Sequence, residues 1–210
     1  MYNSTMRILT VPGDLTILRT KSQEITSIDD ELVKFLGDLG KTLKRQSDPQ
    51  GIGLSAVQVG RPVRVFATYL PMENTDKPEL LFYINPEIIN HPDEMTLGED
   101  LVEGNAQRSA DNDRPFLEGC LSIPKVYGTV LRWPWIEAKA TIISGNYLLD
   151  ISKYRRSNLG LTDISLNGLA ARVFQHELDH LNGILFTDHT MAQNGIMYRE
   201  GKDRLEEIIL

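Results

Sequence analysis

Between Asp29 and Ser47 the chain reads DDELVKFLGDLGKTLKRQS, with Leu32, Leu36, Leu39 and Leu43 at helical spacing and Asp29 or Asp30 placed to cap. That pattern predicts an amphipathic helix. Leu169, Val173, His176 and His180 fall on one stripe of the same 3.6-residue period and predict a second helix over 166–182, stopped by Gly183. A third helix is expected near Arg199 to Ile209. Pro62–Leu70, Leu81–Ile89, Tyr127–Arg132 and Trp135–Ile143 carry the Val, Ile and aromatic content of strands, and Ser144-Gly145-Asn146 supplies hairpin-turn chemistry before the segment YLLDISKY. Gly51 to Gly53, GIG, reads as a turn. His91 to Pro115 is polar, acidic and poor in apolar residues, a long mobile surface loop, and Arg155 to Asp163 is another polar connection. Strands come first and helices flank them, so the class is α+β, with mostly antiparallel β-sheets packed around a central helix.

The 210 residues suit a single domain spanning 1–210, with polar insertions near 91–115 and 154–165. A formal net charge of −7 argues against an extended basic face, and so against direct nucleic-acid readout. No apolar run reaches the length of a membrane span, and the opening MYNSTMRILTVPGDLTILRT has neither a signal-peptide nor a transit-peptide pattern. Cys120 is the only cysteine, which fits a reducing compartment where thiols serve metal or redox chemistry; a cytoplasmic location is expected.

The chemistry concentrates in QHELDHLNG, Gln175 to Gly183. Four residues advance a helix by about 400°, so His176 and His180 project from one face and both imidazoles can reach one ion. Glu177 is rotated by about 100°, close enough to serve a water at that ion without ligating it. Asp179 falls to the other side and reads as an exposed or supporting carboxylate. An ordinary amphipathic helix could hold two histidines by chance, but the chain has only four, and two share this turn.

Two imidazoles leave the third ligand open. In the long form HExxHxxGxxH it would lie six residues past His180, where this chain has Phe186, which cannot bind. Glu200 has the position of a thermolysin-like third ligand, although its charged surroundings read more naturally as a solvated helix face. Cys120, in EGCLSIP, offers a thiolate suited to borderline divalent ions.

Three separated motifs then coincide: GIGLSAVQ at Gly51 to Gln58, EGCLS at Glu118 to Ser122, and QHELDH at Gln175 to His180. In this order they resemble the peptide deformylase family, whose patterns are G-x-G-x-A-A-x-Q, E-G-C-x-S and H-E-x-x-H. The likeness extends through ILTVPGDLTILR, INPEI and LNGILFTD. One departure is Ser55 in place of alanine, a small-for-small exchange expected to be silent. The resemblance implies a metal-dependent hydrolase that removes the N-formyl group from N-terminal formylmethionine of newly made polypeptides and releases formate. It implies Cys120, His176 and His180 as ligands of one divalent ion, ferrous iron as the working metal, with zinc, nickel or cobalt able to substitute. Glu177 becomes the proton carrier, and Gln58 and the backbone N–H of Leu121 the partners of the developing oxyanion. Gly51, Ile52, Gly53, Phe116, Glu118, Gly119, Leu169 and Val173 line the substrate site, the glycines allowing close approach of the substrate backbone. Glu118 and Arg132 pair beneath the cysteine segment and support it. The partners implied are N-formylmethionyl nascent chains, met transiently at the ribosome. A thermolysin-like peptidase and a non-catalytic metal-binding module are the alternatives.

Overall fold

The computed structural model describes residues 5–47, 50–71, 77–102, 115–147, 160–202 and 204–208. Two antiparallel sheets organise them. The first runs in the order β1 (Gly53–Ser55), β2 (Val65–Pro71), β3 (Pro78–Asn90), β6 (Trp135–Ser144), β7 (Thr162–Asn167). The second runs β4 (Leu117–Cys120), β5 (Ile123–Thr129), β8 (Met197–Glu200), β9 (Leu205–Ile208). The described helices are α1 (Leu15–Leu18), α2 (Asp30–Lys44), α3 (Gly168–Leu181) and α4 (Phe186–Ala192).

The leucine stripe of α2 forms as its spacing predicts. Leu32, Leu36, Leu39 and Leu43 are buried against Leu54, Val65, Ala67, Phe82 and Ile84 of the first sheet. Asp29 accepts the Leu32 N–H at 2.8 Å, satisfying a donor that the first helical turn leaves unpaired.

Helix α3 lies against β1, β2, β6 and β7. Its Ala171, Phe174 and Leu181 pack on Phe66, Tyr83, Ile136, Ala138 and Ala140, with the Phe174 ring edge-on to Phe66 and Tyr83. The opposite stripe, with His176 and His180, is thereby turned towards the second sheet. The helix ends in a Schellman motif: Gly183 N–H donates to His180 O at 3.1 Å and Ile184 N–H to Asp179 O at 2.9 Å, with Gly183 at φ +74°.

Several expectations are corrected. Arg199 to Ile208 is not helical but forms the β8–β9 hairpin, because β8 finds a partner in β5 through Val126–Arg199, Tyr127–Tyr198 and Gly128–Met197. The strand expected over Tyr127–Arg132 is β5 and starts earlier, at Ile123. Leu166 and Asn167 belong to β7 rather than to the helix. Gly145–Tyr147 forms a 3-10 turn, and β6 pairs with β3 and β7; the strand expected in YLLDISKY falls outside the described residues after Tyr147. The polar connection expected over Arg155–Asp163 lies largely outside them too, and its last two residues open β7. Of the loop expected over 91–115, residues 91–102 are tied down: Thr96 and Arg132 exchange backbone hydrogen bonds at 2.8 and 3.0 Å, and Phe116 N–H donates to Leu97 O. Residues 103–114 are outside the described set.

At Gly183 an added Cβ would stand 2.4 Å from the Arg19 carbonyl oxygen, on backbone that already needs a left-handed conformation. Gly183→Ala is expected to destabilise the fold by about 2 kcal/mol or more, read as a lower denaturant midpoint. A midpoint equal to that of the unaltered protein would contradict this account of the helix stop.

Candidate metal centre

Strand β4 places Glu118, Gly119 and Cys120 in succession, and its register against β5 shifts between Gly119 and Cys120. Such an irregularity re-aims a side chain, and here the thiol meets the imidazoles of α3. The ligand-type atoms of Cys120, His176 and His180 all lie within 4.8 Å of one another. Cys120 Sγ is 3.2 Å from His180 Nε2, and the two imidazole planes stand at 82°. Ligands of a tetrahedral ion at 2.0–2.3 Å stand roughly 3.3–3.8 Å apart, close to the separation of Sγ and Nε2, and the donor set suits a borderline divalent cation. Burial opposes ionisation of the Cys120 thiol, but the neighbouring His180 and His176 rings outweigh it and hold the thiol well below its ordinary value. Phe186 begins α4 and packs with Ile123, Val130 and Leu185; Glu200 is exposed on β8 and is not in the cluster.

Behind His176 sits a buried charge network. His176 Nδ1 is 3.1 Å from Glu118 Oε2. Arg132 donates to both oxygens of Glu118 at 3.0 Å, and Arg172 Nη1 donates to Oε1 at 2.8 Å. Burial alone would raise the Glu118 carboxyl, yet the Arg132 guanidinium and His176 hold it well below the usual carboxylate range. Arg132 also donates to Asp179, which is 2.9 Å from His189 Nε2. Asp179 is therefore an integral part of this network rather than an exposed carboxylate. Arg172 was missed in the sequence; its signal is an arginine one turn before His176 on the inward stripe. Its Nη2 donates to Thr96 O at 3.0 Å, which links residues 91–102 to the network. His180 Nδ1, by contrast, is buried without a hydrogen-bond partner among the described residues.

Glu177 is 3% exposed, and burial pushes its carboxyl up against the opposing influence of the two imidazoles and a hydrogen bond from Ser55. Ser55 Oγ lies 2.6 Å from Glu177 Oε2 and 3.0 Å from the Glu177 carbonyl oxygen. The serine was expected to be silent; its hydroxyl in fact touches the carboxylate. Gly53 has a further part that the sequence reading did not name: an added Cβ would stand 2.3 Å from Glu177 Oε1, so its bare face admits that side chain. The Gln58 side chain is oriented at both ends, its Oε1 accepting the Ser55 N–H at 2.8 Å and its Nε2 donating to Ser122 Oγ at 3.1 Å, with Cys120 Sγ at 3.5 Å.

These groups open on a cleft of about 330 Å³. Gly51, Ile52, Gly53, Gln58, Phe116, Glu118, Gly119, Leu121, Leu169 and Val173, all expected from the sequence, line it together with Cys120, His176 and Glu177. Gln46, Gln50, Lys125 and Tyr127 are lining residues that the sequence reading did not name. The Tyr127 ring packs over Gly119, where a Cβ would stand 2.9 Å from it.

The family model described as polypeptide deformylase matches residues 5–195. The chain is 36% identical over 186 residues to a peptide deformylase of Caulobacter vibrioides, covering 87% of this chain and 86% of that one. It is 35% identical over 173 residues to one of Brucella suis, covering 82% and 78%. Among solved structures, Arabidopsis thaliana peptide deformylase 1B, in complex with an inhibitor, superposes with a TM-score of 0.63 at 32% identity over 90% of this chain and 83% of that one. A Synechococcus elongatus peptide deformylase in complex with actinonin gives 0.63 at 27% identity, over 90% and 81%.

Replacing Arg132 removes the guanidinium that Glu118 and Asp179 share. Arg132→Ala is expected to cost about 3–5 kcal/mol of stability, because the buried Glu118 loses its main partner and Asp179 keeps only His189. It should also lower the metal retained after dialysis. Full metal content at an unaltered denaturant midpoint would show that the network does not support the centre.

Proposed function

The chain belongs to the polypeptide deformylase family, and on that premise we propose that Cys120, His176 and His180 hold one divalent ion, ferrous iron by preference, beside Glu177 as proton carrier. As a member of the family it is an enzyme, a metal-dependent hydrolase that removes the formyl group from the N-terminal formylmethionine of new polypeptides and releases formate. The observation that carries the site assignment is the chain's one thiol standing 3.2 Å from His180 Nε2, in a cluster with His176.

When bound, the ion supplies Lewis acidity that brings the pKa of a water to near neutrality. Glu177 takes the proton of the attacking water on its carboxylate and delivers it to the departing amine, which leaves the peptide with a free amino terminus. Burial of Glu177 supports this role, since a raised carboxyl sits closer to the working pH of a group that accepts and returns a proton. The Gln58 amide donates to the oxygen on which charge develops, and Ser55 N–H and Ser122 Oγ hold that amide's orientation. The backbone N–H of Leu121, a residue of the cleft wall, is the second donor. Ile52, Phe116, Leu169 and Val173 give the methionine side chain an apolar seat. Glu118 fixes the His176 ring through Nδ1, which leaves Nε2 for the ion.

A thiolate with two imidazoles admits iron, zinc, nickel and cobalt alike, and the preference for ferrous iron rests on the family resemblance. Among the described residues no helix is long and apolar enough to cross a membrane. A single free thiol supports a reducing, cytoplasmic setting, where nascent chains are met transiently at the ribosome.

Formate release from a formyl-methionyl peptide, measured anaerobically with ferrous iron and set against an unformylated control, tests the activity. Glu177→Gln should keep its metal and lose about 10²- to 10⁴-fold in kcat. Cys120→Ser should lose the metal, whereas Glu200→Gln should retain it; the reverse pattern would overturn the ligand assignment.

A further inference from the structure

The first motif of this chain departs from the family pattern at one position, with serine at 55 where that pattern has alanine. The Ser55 hydroxyl is buried and lies 2.6 Å from Glu177 Oε2 and 3.0 Å from the Glu177 carbonyl oxygen. On the other side of the carboxylate, Oε1 rests against the bare face of Gly53, which lines the cleft. The carboxyl group is thus gripped at Oε2, with Oε1 on the side of the cleft-lining Gly53.

Resting on the reading of Glu177 as the proton carrier, we propose that Ser55 is a positioning residue that fixes the Glu177 carboxylate, tying Oε2 and leaving Oε1 to face the reacting water. The terminal torsion of a glutamate is intrinsically broad, so without a partner the carboxyl plane swings. A hydroxyl carries one hydrogen, and of its two acceptors here the carboxylate is nearer and charged, so it takes the stronger bond. Once Glu177 has accepted the water's proton on Oε1, Oε2 remains an acceptor and the hydroxyl goes on donating to it. Ser55 keeps its own proton throughout; the transferred one passes from water to Glu177 to the leaving amine. Alanine offers neither hydrogen bond. Small misplacements of a reacting group cost rate steeply, so the hydroxyl acts on turnover rather than on binding.

The test is Ser55→Ala, a residue that the family pattern itself carries at this position, in the iron-loaded enzyme with a formyl-methionyl peptide. The expected result is a fall in kcat of about tenfold with KM and metal content unchanged, and a crystal structure in which the Glu177 carboxylate has left its place beside residue 55. In a Glu177→Gln background the same replacement should remove less than about twofold, since the hydroxyl acts through the carboxylate. A kcat within twofold of the unaltered enzyme overturns the inference, as does the same tenfold loss in the Glu177→Gln background. If the unaltered enzyme releases no formate, the functional reading fails and this one with it; an active parent with an equally active Ser55→Ala variant overturns this one alone.

Discussion

The Glu118 carboxylate is the constraint on which the site's geometry rests. It is 4% exposed, a placement that would be costly without compensation, yet it is met by Arg132, Arg172 and His176 at 2.8–3.1 Å. The partners come from two other parts of the chain. Glu118 stands on β4 of the second sheet, Arg132 on the segment before β6, and Arg172 and His176 on α3. Because the charges compensate one another only when all these segments are seated, the network couples the two sheets and sets the azimuth of the His176 ring. Thr96 extends it, taking a hydrogen bond from Arg172 and pairing with the Arg132 backbone.

Around that charge, the two faces of α3 divide the labour. The face with Ala171, Phe174 and Leu181 is cemented to the first sheet by apolar burial, which is non-directional and tolerant of small adjustments. The face with Arg172, His176 and His180 meets the second sheet through directional contacts. Precision at the metal-facing side therefore depends on rigidity at the apolar side. The glycines serve the same geometry: Gly53 admits Glu177, and Gly119 admits the Tyr127 ring against the strand that carries the thiol.

Much of this is legible in the sequence where a single local rule decides. The leucines of α2, the imidazole pair and the glycine stop of α3 follow from helical period and cap chemistry. Cys120 emerges only through its motif, since a lone thiol carries no period. The rest is set by tertiary partners. Arg199 to Ile208 contains charges compatible with a helix, but β5 offers an edge, and pairing with it decides the outcome. Ser55 and alanine are alike in size and differ by a hydroxyl whose contacts with Glu177 only the fold reveals. Asp179 reads by angle as exposed or supporting, and it is the supporting one of the two because Arg132 and His189 arrive from elsewhere.

The order of the strands in the second sheet also carries a consequence for how the molecule is made. Strand β5 has β4 on one side, but its other rim is covered only by β8, which is translated after α3 and α4. Until then, on the elongating chain, the hairpin that bears the thiol presents an open rim. The His180 imidazole lies 60 positions after the thiol and β8 later still, so a hairpin already complete in the chain must wait for both its nitrogen neighbour and its outer strand.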